Sequence, residues 1–182
     1  MISIVQKEDP VLRKKTLPVP LTDILSVKIQ KIIRDMKIAL DCEADGVAIA
    51  APQIGVSFRI FIISGKVFDK DFIDGKKITE KKTKEHADMV FINPEFVKIS
   101  KSKKWLAEGC LSVRWLYGEV RRSTHATVTA YDEHSKRFTK GGSGLLAHIF
   151  QHETDHLDGT LFIDNARNIE EGRPEDQTKS GK

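Results

Sequence analysis

The segment Gln151-His152-Glu153-Thr154-Asp155-His156-Leu157-Asp158-Gly159 constrains this chain more than any other. It sets two histidines four residues apart, with a glutamate directly after the first. On a helix, residues i and i+4 share one face about one turn apart, so His152 and His156 can hold a single metal ion. Glu153 lies about 100° round the helix from His152. From that flank its carboxylate reaches a water on the metal without ligating the metal itself. Two ligands and a base suit hydrolysis. The five-residue pattern alone is common, so a third ligand and a substrate-binding element must come from elsewhere in the chain.

Cys42 and Cys110 are the two cysteines. That is too few for a secreted disulfide framework, and Met-Ile-Ser-Ile-Val-Gln-Lys-Glu-Asp-Pro at the N-terminus has no signal-peptide apolar core. A reducing cytoplasm is the expected compartment. Cys42 sits in an apolar helical stretch and reads as a buried, inert thiol. Cys110 lies in Trp105-Leu106-Ala107-Glu108-Gly109-Cys110-Leu111-Ser112, where the glycine lets the backbone pass close to another group. Beside a histidine pair that lacks a third ligand, Cys110 becomes the candidate.

A third segment, Gly46-Val47-Ala48-Ile49-Ala50-Ala51-Pro52-Gln53-Ile54-Gly55, completes the set. In this order the three segments resemble the three signature motifs of the peptide deformylases, GxGxAAPQ, EGCLS and QHExDHLxG. The match reaches from about Met1 to Asp164. The resemblance implies a metal-dependent hydrolase that removes the N-formyl group from the formyl-methionine of nascent polypeptides and releases formate. It implies Fe(II) as the metal, replaceable by Zn, Ni or Co. It also implies the Gln53 amide and the Leu111 N–H as oxyanion donors. Gly46, Val47, Ala48, Glu108 and Gly109 would then line the path of an extended substrate.

The residues support that reading on their own terms. A structural metal site is closed by four protein ligands, whereas a catalytic one leaves a position for water. Cys110, His152 and His156 make three. One thiolate and two imidazoles suit several divalent ions alike. Glu153 fits the general acid–base role, worth about 10²–10⁴-fold. Several roles stay open at this level. Gln53 could be a surface loop amide. Glu108 could orient a ligand or pair with Arg122. His148 stands one turn before His152 and forms a rival pair with it. His148 and His156 lie about 12 Å apart along the axis, so one ion cannot bind all three; the glutamate after His152 and the position of the family motif favour His152 with His156, and His148 reads as packing or a surface imidazole. Asp155 reads, by resemblance, as a structural group bonding nearby backbone.

At 182 residues and 40% hydrophobic content, the chain is long enough for one domain with a real core. Apolar residues Ile29, Ile32, Ile33, Met36 and Leu40 predict a helix to about Asp41, capped by Thr22 or Asp23. Ile60 to Ile63 reads as a buried strand. Met89–Ile92 and Glu95–Ile99 read as strands separated by a turn at Asn93-Pro94. Ala126–Tyr131 and Lys136–Thr139 read as a hairpin, and Ser143 as the N-cap of the histidine helix. The expected class is α+β, with short antiparallel strands packed around a central metal-binding helix. Residues 1–164 form the single expected domain, and the polar tail 165–182 is expected to be disordered.

The net charge is +4, and Lys66 to Lys84 holds seven lysines against four acids. Such a run reads as a solvated loop; the alternative is weak, salt-dependent ribosome docking through Lys76–Lys84 or Lys98–Lys104. No apolar run approaches the roughly 20 residues of a membrane span, and a monomer is expected. Two departures from the family pattern touch the site: Ala48 replaces the second motif glycine, and Arg114-Trp115 stands where proline and glycine are usual. They encourage one competing reading, a metal-holding paralogue without turnover; the histidine pattern alone offers another, a zinc peptidase, although that class usually draws its third ligand from downstream of the helix.

Overall fold

A computed structural model describes residues 2–69, 72 and 85–172. Helix α1 spans Val27–Cys42 and is capped by Ser26, whose hydroxyl accepts from the Ile29 N–H at 3.3 Å. The expected caps Thr22 and Asp23 fall instead in a separate 3-10 turn, because the chain first bends to bury Ile24. Ile29, Ile33, Met36 and Leu40 are buried, as their spacing predicts. Cys42 is exposed, which corrects the expectation of a buried thiol. It lies two residues past Leu40, about 200° round the helix from the buried stripe.

The strands are β1 (Ala48–Ala50), β2 (Ile60–Ile63), β3 (Met89–Ile99), β4 (Lys103–Gly109), β5 (Leu116–Ser123), β6 (His125–Tyr131), β7 (Arg137–Ser143) and β8 (Arg167–Glu171). They form one antiparallel sheet in the order β1-β2-β3-β6-β7 and a second in the order β4-β5-β8. Helix α2 (Gly144–Leu157) packs on β6, β7, β1 and β2 of the first sheet and on β5 of the second. The antiparallel α+β class is the expected one.

β2 shows why its sequence is apolar throughout. Ile60 and Ile62 join the core under α1, while Phe61 and Ile63 join the core under α2. Both faces are covered, so the strand reads as a continuous apolar run instead of an alternation. Phe61 stacks on Phe91 at 4.5 Å, and Phe150 of α2 meets Phe91 edge-on at 5.5 Å. A third cluster of Leu12, Val113, Val120, Leu161 and Phe162 backs the smaller sheet.

Two expectations about chain direction change. Asn93-Pro94 does not turn the chain; β3 runs through it with a register shift between Ile92 and Glu95. Asn93 adopts φ 51° and Pro94 has no N–H, so pairing skips locally and resumes, as in a bulge. The Asn93 side chain also bonds both backbone groups of Val19, at 2.8 and 2.7 Å. Second, the folded unit extends past Asp164. Arg167–Glu171 forms β8 against β5, with Glu170 opposite Tyr117 and Arg167 opposite Glu119. The five residues are all exposed, so backbone pairing and not burial builds this strand. The Arg167 guanidinium lies over the Trp105 ring at 3.7 Å and bonds Glu119. Arg173–Lys182 and Lys76–Lys84 lie outside the described residues. Deleting residues 166–182 is expected to lower stability on the order of 2 kcal/mol, from a few backbone hydrogen bonds at about 1 kcal/mol net each. A urea midpoint equal to that of the full chain would show that β8 adds nothing.

Candidate metal centre

The histidine helix begins at Gly144, whose φ of 54° suits a residue without a Cβ and turns the chain sharply out of β7. Ser143 occupies the N-cap position, but its side chain makes no capping bond. Gln151 fastens the helix to β5: its Oε1 accepts from the Ser123 N–H at 2.9 Å and its Nε2 donates to the Ser123 carbonyl at 3.0 Å. That anchorage aims the His152–His156 face at the loop following β4.

Cys110 stands at the start of that loop. Its Sγ lies 3.2 Å from His156 Nε2, and the ligand atoms of Cys110, His152 and His156 all lie within 4.8 Å of one another. His148 is not part of this cluster. The His152 and His156 rings are 5.0 Å apart, edge to face. Among the described residues, His156 Nδ1 and Glu153 Oε2 are buried without a protein partner. The donor set fits a divalent ion. His156 turns Nε2 towards the thiol, and His152 bonds through Nδ1 to Glu108, which leaves its Nε2 for a ligand bond. Three protein ligands leave a coordination position open.

Glu108 resolves its two readings by fulfilling both. Its Oε1 accepts from Arg122 Nε at 2.6 Å and His148 Nε2 at 2.7 Å; its Oε2 accepts from His152 Nδ1 at 2.9 Å and Arg122 Nη2 at 3.1 Å. The carboxylate is 1% exposed. Burial opposes its charge, yet the hydrogen bonds from His148, His152 and Arg122 hold it well below the usual carboxylate range. The expected substrate-facing side chain is therefore fully engaged by the protein. His148, expected to be packing or a surface group, is one of its donors. Asp155 bonds Arg122 Nη1 at 2.6 Å through its side chain, in place of the expected backbone partner.

Burial pushes the Glu153 carboxyl up to about 7; the nearby His152 opposes this, and the carboxylates of Glu108 and Asp155 add to it. A group titrating near neutral pH can both take and return a proton. Burial also holds His156 well below its usual value, so it stays a neutral imidazole. For His152, burial works in the same direction, but bonding to Cys110 and Glu108 raises its pKa. A nitrogen that ligates a metal must be free of its proton, so metal binding here would compete with protonation of His152.

Gln53 is buried, not a surface amide. Its Oε1 accepts from the Ala50 N–H at 2.8 Å, and its Nε2 reaches Ser112 Oγ at 3.2 Å and Cys110 Sγ at 3.6 Å. Leu111 follows the cysteine directly, and Gln6 Nε2 holds its carbonyl at 3.1 Å. A cavity of about 270 Å³ opens here, bounded by Gly46, Val47, Ala48 and Gln53 on one side and Glu108, Gly109, Cys110 and Leu111 on another. Arg114 to Tyr117 form its rim, and His148, His152 and Glu153 its helical wall. Among the described residues β1 is the edge strand of its sheet, with β2 as its one strand neighbour.

The rim holds a contact that sequence reading missed. Arg114 bonds Asp45 at 2.7 and 3.1 Å and Glu43 at 2.7 Å, and lies over the Trp115 ring at 4.8 Å. The departure from proline and glycine at this point thus ties the loop before β1 to the loop after Cys110. The only signal available was two acids in one loop and a lone arginine 69 residues on.

The family model for polypeptide deformylases matches residues 1–172. The chain is 38% identical over 162 residues to a peptide deformylase of Dehalococcoides mccartyi, covering 89% of this chain and 84% of that relative. It is 40% identical over 161 residues to peptide deformylase 1A of Arabidopsis thaliana, described as chloroplastic/mitochondrial; the match takes in 88% of this chain but spans only 60% of that relative's length. The crystal structure of a peptide deformylase from Legionella pneumophila superposes with a TM-score of 0.75 at 37% identity, covering 92% of this chain and 87% of that one. Motifs, fold and relatives agree, and the chain belongs to the polypeptide deformylase family.

Proposed function

We propose that this chain is a metal-dependent hydrolase that removes the N-formyl group from the terminal formyl-methionine of nascent polypeptides and releases formate. The observation that carries this reading is the buried Glu153 carboxyl beside the Cys110–His152–His156 set, at one wall of a cavity with an open strand edge. Cys110, His152 and His156 would hold one divalent ion, Fe(II) by family resemblance, with Zn, Ni or Co as substitutes. When bound, such an ion polarises a carbonyl and acidifies water.

The chain's own residues do the rest. An extended peptide can add along the free edge of β1, past Gly46, Val47 and Ala48, which is strand addition with the side chain entering the cavity. Glu153 takes a proton from the attacking water and returns it to the departing amine. The Gln53 amide and the Leu111 N–H supply hydrogen bonds to the oxyanion; one such donor is worth about 10²–10³ in rate. Glu108 acts behind them, fixing the tautomer of His152. We place the enzyme in the cytoplasm as a monomer. Among the described residues no helix is long and apolar enough to cross a membrane. We assign weak, salt-dependent ribosome contact to one of two lysine groups, the exposed Lys98, Lys101, Lys103 and Lys104 at the β3–β4 turn or Lys76–Lys84.

Formate release from a formyl-Met peptide by the metal-loaded protein tests this reading, and a loaded chain that releases no formate would leave the metal-holding paralogue or the zinc peptidase. Alanine at Cys110, His152 or His156 is expected to strip the metal, measured as metal content after desalting. Glu153→Gln is expected to keep full metal occupancy while kcat drops about 10²–10⁴-fold; near-normal turnover at full occupancy would move the proton-transfer role elsewhere. Arg114→Ala opens the rim clasp. If the clasp contributes about 1 kcal/mol to holding the walls, KM rises about fivefold with kcat little changed. A drop in kcat at constant KM would mean that Arg114 acts on the reacting centre instead.

A further inference from the structure

His148 stands on the same helical face as His152, one turn earlier. Its ring lines the cavity and its side chain is 14% exposed. Apolar Leu145 and Ile149 flank it along the same wall. An imidazole in such a place loses hydration and needs a bonded partner; it has one in Glu108 Oε1 at 2.7 Å. A carboxylate offers about four acceptor sites. Arg122 fills one on each oxygen and His152 fills the second on Oε2, so His148 fills the last, on Oε1. The carboxylate accepts, so His148 donates through Nε2–H, as His152 donates through Nδ1–H. Arg122 is absent from the cavity wall whereas His148 is part of it, so His148 meets Glu108 from the side that substrate and water enter.

We propose that His148 is a positioning residue: its N–H completes Glu108 and holds the carboxylate in the rotation that aims Oε2 at His152 Nδ1. His152 Nε2 is thereby kept turned towards the metal. Without that donor, Oε1 presents an open acceptor to the cavity, and water or a substrate amide can pull the carboxylate out of line. The effect on turnover rests on the deformylase reading above; the effect on metal retention rests only on the ligand set.

Two polar variants separate this role from packing. In His148→Gln the side-chain amide sits near the position of Nε2 and can still reach Glu108. In His148→Asn it sits near Nδ1 and falls short. Zn(II), a redox-silent probe, is loaded into each protein and competed away with a chelator. The Asn variant, and His148→Leu beside it, is expected to lose affinity by about 10-fold or more, the scale for groups that orient a metal ligand. The Gln variant is expected to recover most of that loss. In formate-release kinetics the Asn variant should lower kcat more than it alters KM, again with recovery by Gln. Wild-type zinc affinity in the Asn variant overturns the proposal, and so does a Gln variant as impaired as Asn, which is the pattern of a packing role. Zinc retention needs no substrate. A wild-type chain that holds zinc and releases no formate therefore overturns the deformylase reading alone, and the Asn/Gln ratio still judges His148. A wild-type chain that holds no divalent ion overturns both.

Discussion

Glu108 keeps a full charge with its side chain 1% exposed, and the rest of the site follows from how that charge is satisfied. A buried charge that loses its partner destabilises by about 3–5 kcal/mol. Here four donors converge on it from two elements, Arg122 of β5 and the two histidines of α2. Glu108 is the penultimate residue of β4, two residues before Cys110. One carboxylate therefore fixes the distance between the cysteine loop and the histidine helix. Asp155, from α2, bonds the far side of Arg122 and makes the arrangement a closed circuit between helix and sheet. The candidate ligand set Cys110, His152 and His156 is thus positioned by ionic groups outside it.

The cavity is a consequence of two sheets sharing one helix. The larger sheet buries its Phe61–Phe91–Phe150 face against α2, and the smaller sheet meets the same helix through β5. Between them the edge strand β1 faces the loop that follows Cys110. The Arg114 contacts with Asp45 and Glu43 join these two walls at the rim, while the Gly172 N–H bonds the Trp115 carbonyl from behind. The rim thus combines an ion pair across the opening with backbone support from Gly172, the residue that follows β8.

Local periodicity was easy to read because it is a property of neighbouring residues. The α1 stripe, the apolar run of β2, the β6–β7 hairpin and the i, i+4 histidines were all legible for that reason. Where a residue's surroundings come from far along the chain, the local signal misled. Cys42 shares its helix with buried residues but points from the opposite face. Asn93-Pro94 carries turn chemistry, yet Val19, 74 residues away, and the neighbouring strands hold it within β3. The polar stretch after Asp164 cannot bury a face, but β5 needs only its backbone.

By itself the sequence determined the chemical groups, their helical spacing and the family. Cys110, His152, Glu153 and His156 can be named from motifs because each motif is a few residues long and its geometry is set by the helix or turn that it forms. Only the tertiary structure decided what surrounds them. Glu108 reaches Arg122 across 14 residues, His148 across 40 and His152 across 44. No periodicity spans such separations, and a histidine one turn from a ligand has the same spacing whether it binds metal, packs, or holds a carboxylate. The choice among these is made by which side chains the folded sheets bring within 3 Å, since a buried charge must be met by donors wherever the chain supplies them.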